Sequence, residues 1–125
     1  MEEIVIKKSS FLSIAINVNS KEEAKKITTE YKQNYKKATH VCSAYYILEN
    51  GVEMAGFDDD GEPKNTAGRP IYELLKLKKV FNVVIIVIRY YGGIQLGAGG
   101  LVRAYRQSAS VAITKYLNNS KETYD

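Results

Sequence analysis

Arg89-Tyr90-Tyr91-Gly92-Gly93-Ile94-Gln95-Leu96-Gly97-Ala98-Gly99-Gly100-Leu101-Val102-Arg103 is the stretch of this sequence best equipped for chemistry. Five of the nine residues from Gly92 to Gly100 are glycine. Glycine lets backbone approach a ligand closely and takes positive φ without steric cost. The stretch leaves an apolar run and enters a helical pattern. Its end should therefore present unpaired N–H groups and the positive end of a helix dipole. That combination is an anion site. Arg89 and Arg103 flank it with charge and bidentate donors. The expected phosphate-binding set is Arg89, Gly92, Gly93, Gly97, Gly99, Gly100 and Arg103, with the N–H groups of Gly99 and Gly100 making the contact. No Gly-Lys-Ser/Thr closes the loop, and its glycines do not fall as G-x-G-x-x-G, so neither nucleotide fingerprint applies. A tight strand-to-helix connection needs glycines too, and competes with the anion reading.

Two further stretches carry reactive groups. Phe57-Asp58-Asp59-Asp60-Gly61-Glu62-Pro63 runs into Thr66-Ala67-Gly68-Arg69-Pro70. Its four carboxylates could hold a hard cation such as magnesium. They are equally natural partners for Arg89 and Arg103, and that ion-pair reading is preferred, so no metal site is assigned. Asp59, Asp60, Glu62 and Thr66 are accessory site candidates, orienting the arginines. His40 and Cys42 stand two apart on a strand pattern and share a face. A Cys–His pair can be nucleophilic. No third orienting group is identifiable, so a buried thiol beside an accessory, hydrogen-bonded His40 is preferred.

These stretches need a scaffold. Ile4 to Val18 reads as one or two strands with a kink near Ser9-Ser10. Ser20 followed by Glu23 is a capping box, and Ala24, Ile27, Tyr31 and Tyr35 continue it as a helix. The opposite face carries Lys21, Lys25, Lys26, Lys32, Lys36 and Lys37, a solvated surface or a weak electrostatic footprint for nucleic acid. Val41–Leu48 and Val52–Phe57 flank Asn50-Gly51, a hairpin signal. Pro70 opens a second helix with Ile71, Leu74 and Leu75 on its apolar face. Val83 to Ile88 is a continuous β-branched run, the pattern of a strand buried on both faces. A last helix is predicted from about Gly100 to Leu117, with Leu101, Tyr105, Ser108, Ala109, Ala112, Ile113 and Tyr116 inward. The tail from Asn118 to Asp125 is polar and reads as a frayed end.

The bulk numbers bound the rest. The 125 residues suit one domain with one core. The net charge of +4 permits phosphate or acidic partners. One cysteine excludes an internal disulfide framework. No signal-peptide pattern opens the chain, and its longest apolar run is far below the roughly 20 residues that span a bilayer. Cytoplasmic location and no membrane partner are expected.

The acidic segment and the glycine-rich segment through Tyr105 together resemble the signature of the YigZ/Impact N-terminal domain family. Lys8-Ser9-Ser10-Phe11 and Ala38-Thr39-His40 match its lesser motifs, so the resemblance runs from about Lys7 to Ala112. It implies an α/β (α+β) two-layer sandwich like ribosomal protein S5 domain 2, with a left-handed crossover. The expectation is a mixed sheet with helices on one face. Bacterial members usually carry a second, ferredoxin-like domain, and eukaryotic members a domain in front that restrains a translation-controlling kinase. The expected organisation here is a single Impact N-terminal-like domain over residues 1–125, so the kinase function is not transferred. The function expected is a binding module for RNA or a ribosome-associated partner, more binding than catalytic and without a cofactor. The alternatives are an enzyme acting on a small phosphorylated ligand with magnesium, and a protein–protein interaction domain in translation regulation.

Overall fold

The computed structural model describes the backbone of residues 1–124 and the side chains of residues 1–119. The elements run β1 (Glu2–Ile6), β2 (Ser9–Asn17), α1 (Lys21–Asn34), β3 (His40–Glu49), β4 (Val52–Asp58), α2 (Gly68–Lys78), β5 (Val83–Tyr90) and α3 (Gly97–Tyr124). The five strands form one sheet in the order β1-β2-β5-β3-β4.

Local sequence signals account for most boundaries. Ser20 Oγ accepts from the Glu23 N–H at 3.1 Å and starts α1. Asn50 and Gly51 both take positive φ, 53° and 76°, as a two-residue hairpin turn requires. Two boundaries differ from the sequence reading. The break in the N-terminal segment is at Lys7-Lys8, with φ of 46° and 68°, and not at Ser9-Ser10, which already belong to β2. The last helix opens at Gly97 and continues to Tyr124, because no glycine or proline after Leu117 stops it. The polar tail thus joins α3, and Asp125 lies outside the described residues.

The α+β class is as expected, but two details are corrected. Every strand pairing is antiparallel, so the sheet is not mixed. The β-branched run of β5 needs only cover on both faces, which antiparallel neighbours allow. The helices supply that cover from both sides and not from one. Val83, Ile85 and Val87 meet α2 and α3 through Ile71, Leu75, Tyr105 and Ala109. Val84, Ile86 and Ile88 meet α1 through Ala24, Ile27 and Tyr31. The arrangement is helix, sheet, helix pair.

This layout forces an unusual chirality. β2 and β3 both lie antiparallel to β5, so they are parallel to each other, and α1 joins them. β4 and β5 both lie antiparallel to β3, and α2 joins them. The second crossover runs the opposite way along the sheet, on the opposite face, from a strand of opposite direction. Three reversals invert the hand. One of the two crossovers is therefore left-handed, against the strong right-handed preference.

Candidate functional site

β5 carries Arg89 at its end, and the chain then turns through Gly92 and Gly93 into α3. Gly92 has a packing duty: a Cβ there would stand 1.9 Å from the Lys8 carbonyl oxygen. Its N–H donates to Ser9 Oγ at 3.2 Å. Gly93 and Gly97 adopt φ of 91° and 73°. Gly100 faces Leu96, and Gly99 has the Arg103 guanidinium alongside.

The head of α3 borders a cavity of about 380 Å³. Arg89, His40 and Glu62 line it from one side; Gln95, Leu96, Gly97, Ala98 and Leu101 line it from the other, with Thr39, Pro63 and Tyr91 at the rim. Of the residues expected from sequence, Arg89, Gly97, Glu62 and His40 meet here. Gly92, Gly93, Gly99, Gly100, Asp59, Asp60 and Thr66 are not among its lining, although several hold its walls. Arg103 is also absent: it is exposed and borders a separate groove between α2 and α3. The expected pairing of Arg89 with Arg103 around one anion is corrected accordingly. The expected N–H donors move too. With α3 opening at Gly97, the helical pattern leaves Gly97, Ala98 and Gly99 without intrahelical acceptors, one turn earlier than Gly100.

Behind the cavity lies a buried polar network. Arg89 is 5 % exposed and Glu62 7 %. Arg89 Nη1 donates to Glu62 Oε2 at 2.7 Å, and its Nη2 lies 3.3 Å from Ser9 Oγ. The guanidinium sits against the Phe11 and Tyr91 rings, 5.6 and 5.5 Å from their centroids. Its Nε–H is buried and has no acceptor. The Tyr105 hydroxyl also donates to Glu62 Oε2. His40 Nδ1 lies 2.8 Å from the Asp60 carbonyl oxygen and must donate, since a carbonyl only accepts. His40 Nε2 lies 3.3 Å from Glu62 Oε1. Both ring nitrogens thus face groups of the protein itself. Cys42 Sγ lies 3.1 Å from the Asp59 carbonyl oxygen and 3.4 Å from the Tyr105 hydroxyl. Burial pushes the Cys42 thiol well above its ordinary value, and burial does the same to the Tyr105 phenol. A protonated, enclosed thiol is a poor nucleophile.

The acidic loop is mostly architecture. Asp59 accepts from the N–H groups of Asn65, Ala67 and Gly68 at 2.8, 3.2 and 2.9 Å. It thereby caps α2, whose own N-cap, Ala67, has no side chain to do so. Asp60 accepts from the Val41 N–H at 2.7 Å. Thr66 Oγ1 donates to the Pro63 carbonyl at 2.5 Å. Asp58 pairs with Lys32 at 2.5 Å and accepts from the Asp60 N–H at 2.9 Å. Burial alone would raise the Asp58 carboxyl, but these two contacts hold it below its usual value. Of the four carboxylates in this loop, only Glu62 pairs with an arginine. Among the described residues, no three His, Cys, Asp or Glu side chains converge as a metal set.

Sequence reasoning missed Gln95, Leu96, Ala98, Leu101, Tyr91, Thr39 and Pro63. A helix start placed at Gly97 would have found the first four, since the residues opening the first turn face whatever lies at the helix head. No described helix is long and apolar enough to cross a membrane.

Comparison with known proteins agrees with this architecture. The chain is 47 % identical over 109 residues to the IMPACT family member YvyE of Bacillus subtilis (strain 168), covering 86 % of this chain and 49 % of that protein. It is 36 % identical over 117 residues to the IMPACT family member YigZ of Escherichia coli (strain K12), covering 93 % and 57 %. The chain thus spans about half the length of these relatives. A crystal structure of a hypothetical protein superposes with a TM-score of 0.83 at 36 % identity, covering 90 % of this chain and 55 % of that one. The two-domain translational regulator Yih1 superposes with a TM-score of 0.58 at 27 % identity, covering 89 % and 45 %. The family model for the Impact N-terminal domain matches residues 7–113. The chain belongs to the Impact N-terminal domain family.

Proposed function

We propose that this chain is a binding module of translation regulation that contacts RNA at the head of α3. One observation carries the reading. The open N–H groups of the first turn of α3 and the buried Arg89, with its Nε–H lacking an acceptor, border the same cavity. A phosphate there would find backbone donors, the helix dipole and a fixed guanidinium. Tyr91, 47 % exposed at the rim, offers a ring on which a base can stack. Glu62 offsets much of the Arg89 charge, so affinity for phosphate rests chiefly on the helix N-terminus. The Yih1 neighbour, described as a translational regulator, supports the biological setting.

The catalytic alternative finds less support. His40 has both nitrogens engaged, and Cys42 is enclosed and protonated. The thiol is not poised to attack a ligand in the cavity, and His40 Nε2 faces the Glu62 carboxylate.

The test is fluorescence anisotropy of a labelled mixed-sequence RNA at low and moderate salt. The wild-type chain should bind, and more weakly at higher salt, because neutralised phosphates release counterions. Tyr91→Ala should weaken binding by about 1–3 kcal/mol, the worth of one stacked base. Gln95→Glu places a carboxylate in the cavity mouth and should also weaken it. Arg103→Ala, outside the cavity, should change little. No binding at low salt, or binding indifferent to both cavity variants, overturns the proposal.

A further inference from the structure

The strongest feature outside that cavity is the groove between α2 and α3, with a volume of about 630 Å³. Its apolar lining is Leu74, Leu77 and Val111, and its cations are Lys78, Arg103 and Arg106. Leu77 is 79 % exposed, the most exposed large hydrophobic side chain among the described residues. The spacing is deliberate in helical terms. Leu74, Leu77 and Lys78 stand at i, i+3 and i+4 on α2, and Arg103 and Arg106 at i and i+3 on α3, so each set shares a face. No carboxylate lines the groove. Four cations elsewhere are ion-paired: Lys32 with Asp58, Arg69 with Glu73, Arg89 with Glu62, Lys115 with Glu2. Lys78, Arg103 and Arg106 take part in none of these ion pairs.

We infer that this groove docks a short, acidic, amphipathic helix of a protein partner. The trough between two packed helices accepts a third helix laid along it, apolar side down. Its acidic flank would meet the three cations, which lack partners within the groove. From Arg103 to Val111 the groove runs roughly 12 Å along α3, enough for about two turns of an incoming helix. The apolar lining is aliphatic and has no ring on which a nucleic-acid base could stack, unlike the cavity beside Tyr91. A second copy of this chain in a two-fold arrangement would bring the same three cations face to face. The site is separate from the proposed RNA cavity, and either can stand without the other.

The test uses a fluorescein-labelled synthetic helical peptide of about 14 residues, with leucines at i, i+3, i+4 and i+7 and glutamates elsewhere. Its counterpart carries lysine for every glutamate. The glutamate peptide should bind the wild-type chain, more weakly as salt rises, and the lysine peptide should not. Leu77→Asp and the double variant Arg103→Glu/Arg106→Glu should each lose at least roughly tenfold in affinity. All three positions are exposed, so circular dichroism and thermal melting should show both variants folded. The double variant should instead gain binding to the lysine peptide, a reversal that general damage cannot produce. Tyr91→Ala should leave peptide binding unchanged. No binding of the glutamate peptide at about 1 mM overturns the proposal. Equal binding by wild type and both groove variants does so too. So does labelled RNA, rather than peptide, showing the sensitivity to Leu77→Asp.

Discussion

Glu62→Ala removes the partner of a guanidinium that the protein keeps 95 % enclosed, and the structure sets the size of the effect. The pair is buried on both sides, with side-chain exposures of 6 % for Arg89 and 3 % for Glu62, so solvent screening gives little relief. Leaving one member of a buried pair uncompensated costs about 3–5 kcal/mol. The Tyr105 hydroxyl would lose its acceptor as well, which keeps the expected loss well inside that range, at about 4 kcal/mol. In urea, with a slope of about 2 kcal/mol/M for a chain of this size, the midpoint should fall by about 2 M. Glu62→Gln keeps an acceptor for Arg89 and Tyr105 and loses only the charge, so it should cost less, about 2 kcal/mol. The decisive variant is Glu62→Ala/Arg89→Met. If the damage is an orphaned charge, replacing that charge by an apolar chain of similar length recovers stability. The double variant should then be more stable than Glu62→Ala alone, with a coupling of about 2–3 kcal/mol. A loss below about 1 kcal/mol for Glu62→Ala, or simple additivity in the cycle, would refute the argument.

Two further outcomes follow from burial and backbone geometry. Gly92→Ala should destabilise by about 3 kcal/mol or more, because its Cβ would collide with the Lys8 backbone. Gly93→Ala meets open space and should cost only the strain of its positive φ, about 1 kcal/mol; equal losses in urea unfolding would show that the close approach to Lys8 is not what Gly92 serves. The Cys42 thiol, raised by burial in the folded chain, should resist iodoacetamide until the protein unfolds. Its contribution to stability is fully present below the unfolded thiol value of about 8.5 and is lost as pH rises above it, when only the unfolded chain ionises. Cys42→Ala should flatten that alkaline loss, and fast labelling of the native protein would contradict the burial.

Much of the scaffold was legible locally. The capping box at Ser20, the Asn50-Gly51 turn and the β-branched run of β5 each act within a few residues, so sequence spacing suffices to place them. The start of the last helix is hidden because glycines at Gly97, Gly99 and Gly100 resemble a loop, although a first turn tolerates them when Leu96 and Leu101 pack beneath. Strand direction is not legible locally, since a strand buried on both faces looks the same whether its neighbours run parallel or antiparallel.

The candidate site divides in the same way. Composition and spacing alone determined that a glycine-rich turn with Arg89 would lead into a helix, and that an acidic loop would stand near it. Folding decided which carboxylate went where. Asp59 caps α2, Asp60 holds the start of β3, and Glu62 alone reaches Arg89. Folding also separated Arg89 from Arg103, placing one beneath a cavity and the other on a groove. No periodicity in the chain records those choices. They depend on the antiparallel register of β5 with β2 and β3 and on α3 crossing the sheet beside α2, contacts between residues distant in sequence that form only when the layers close over a common core.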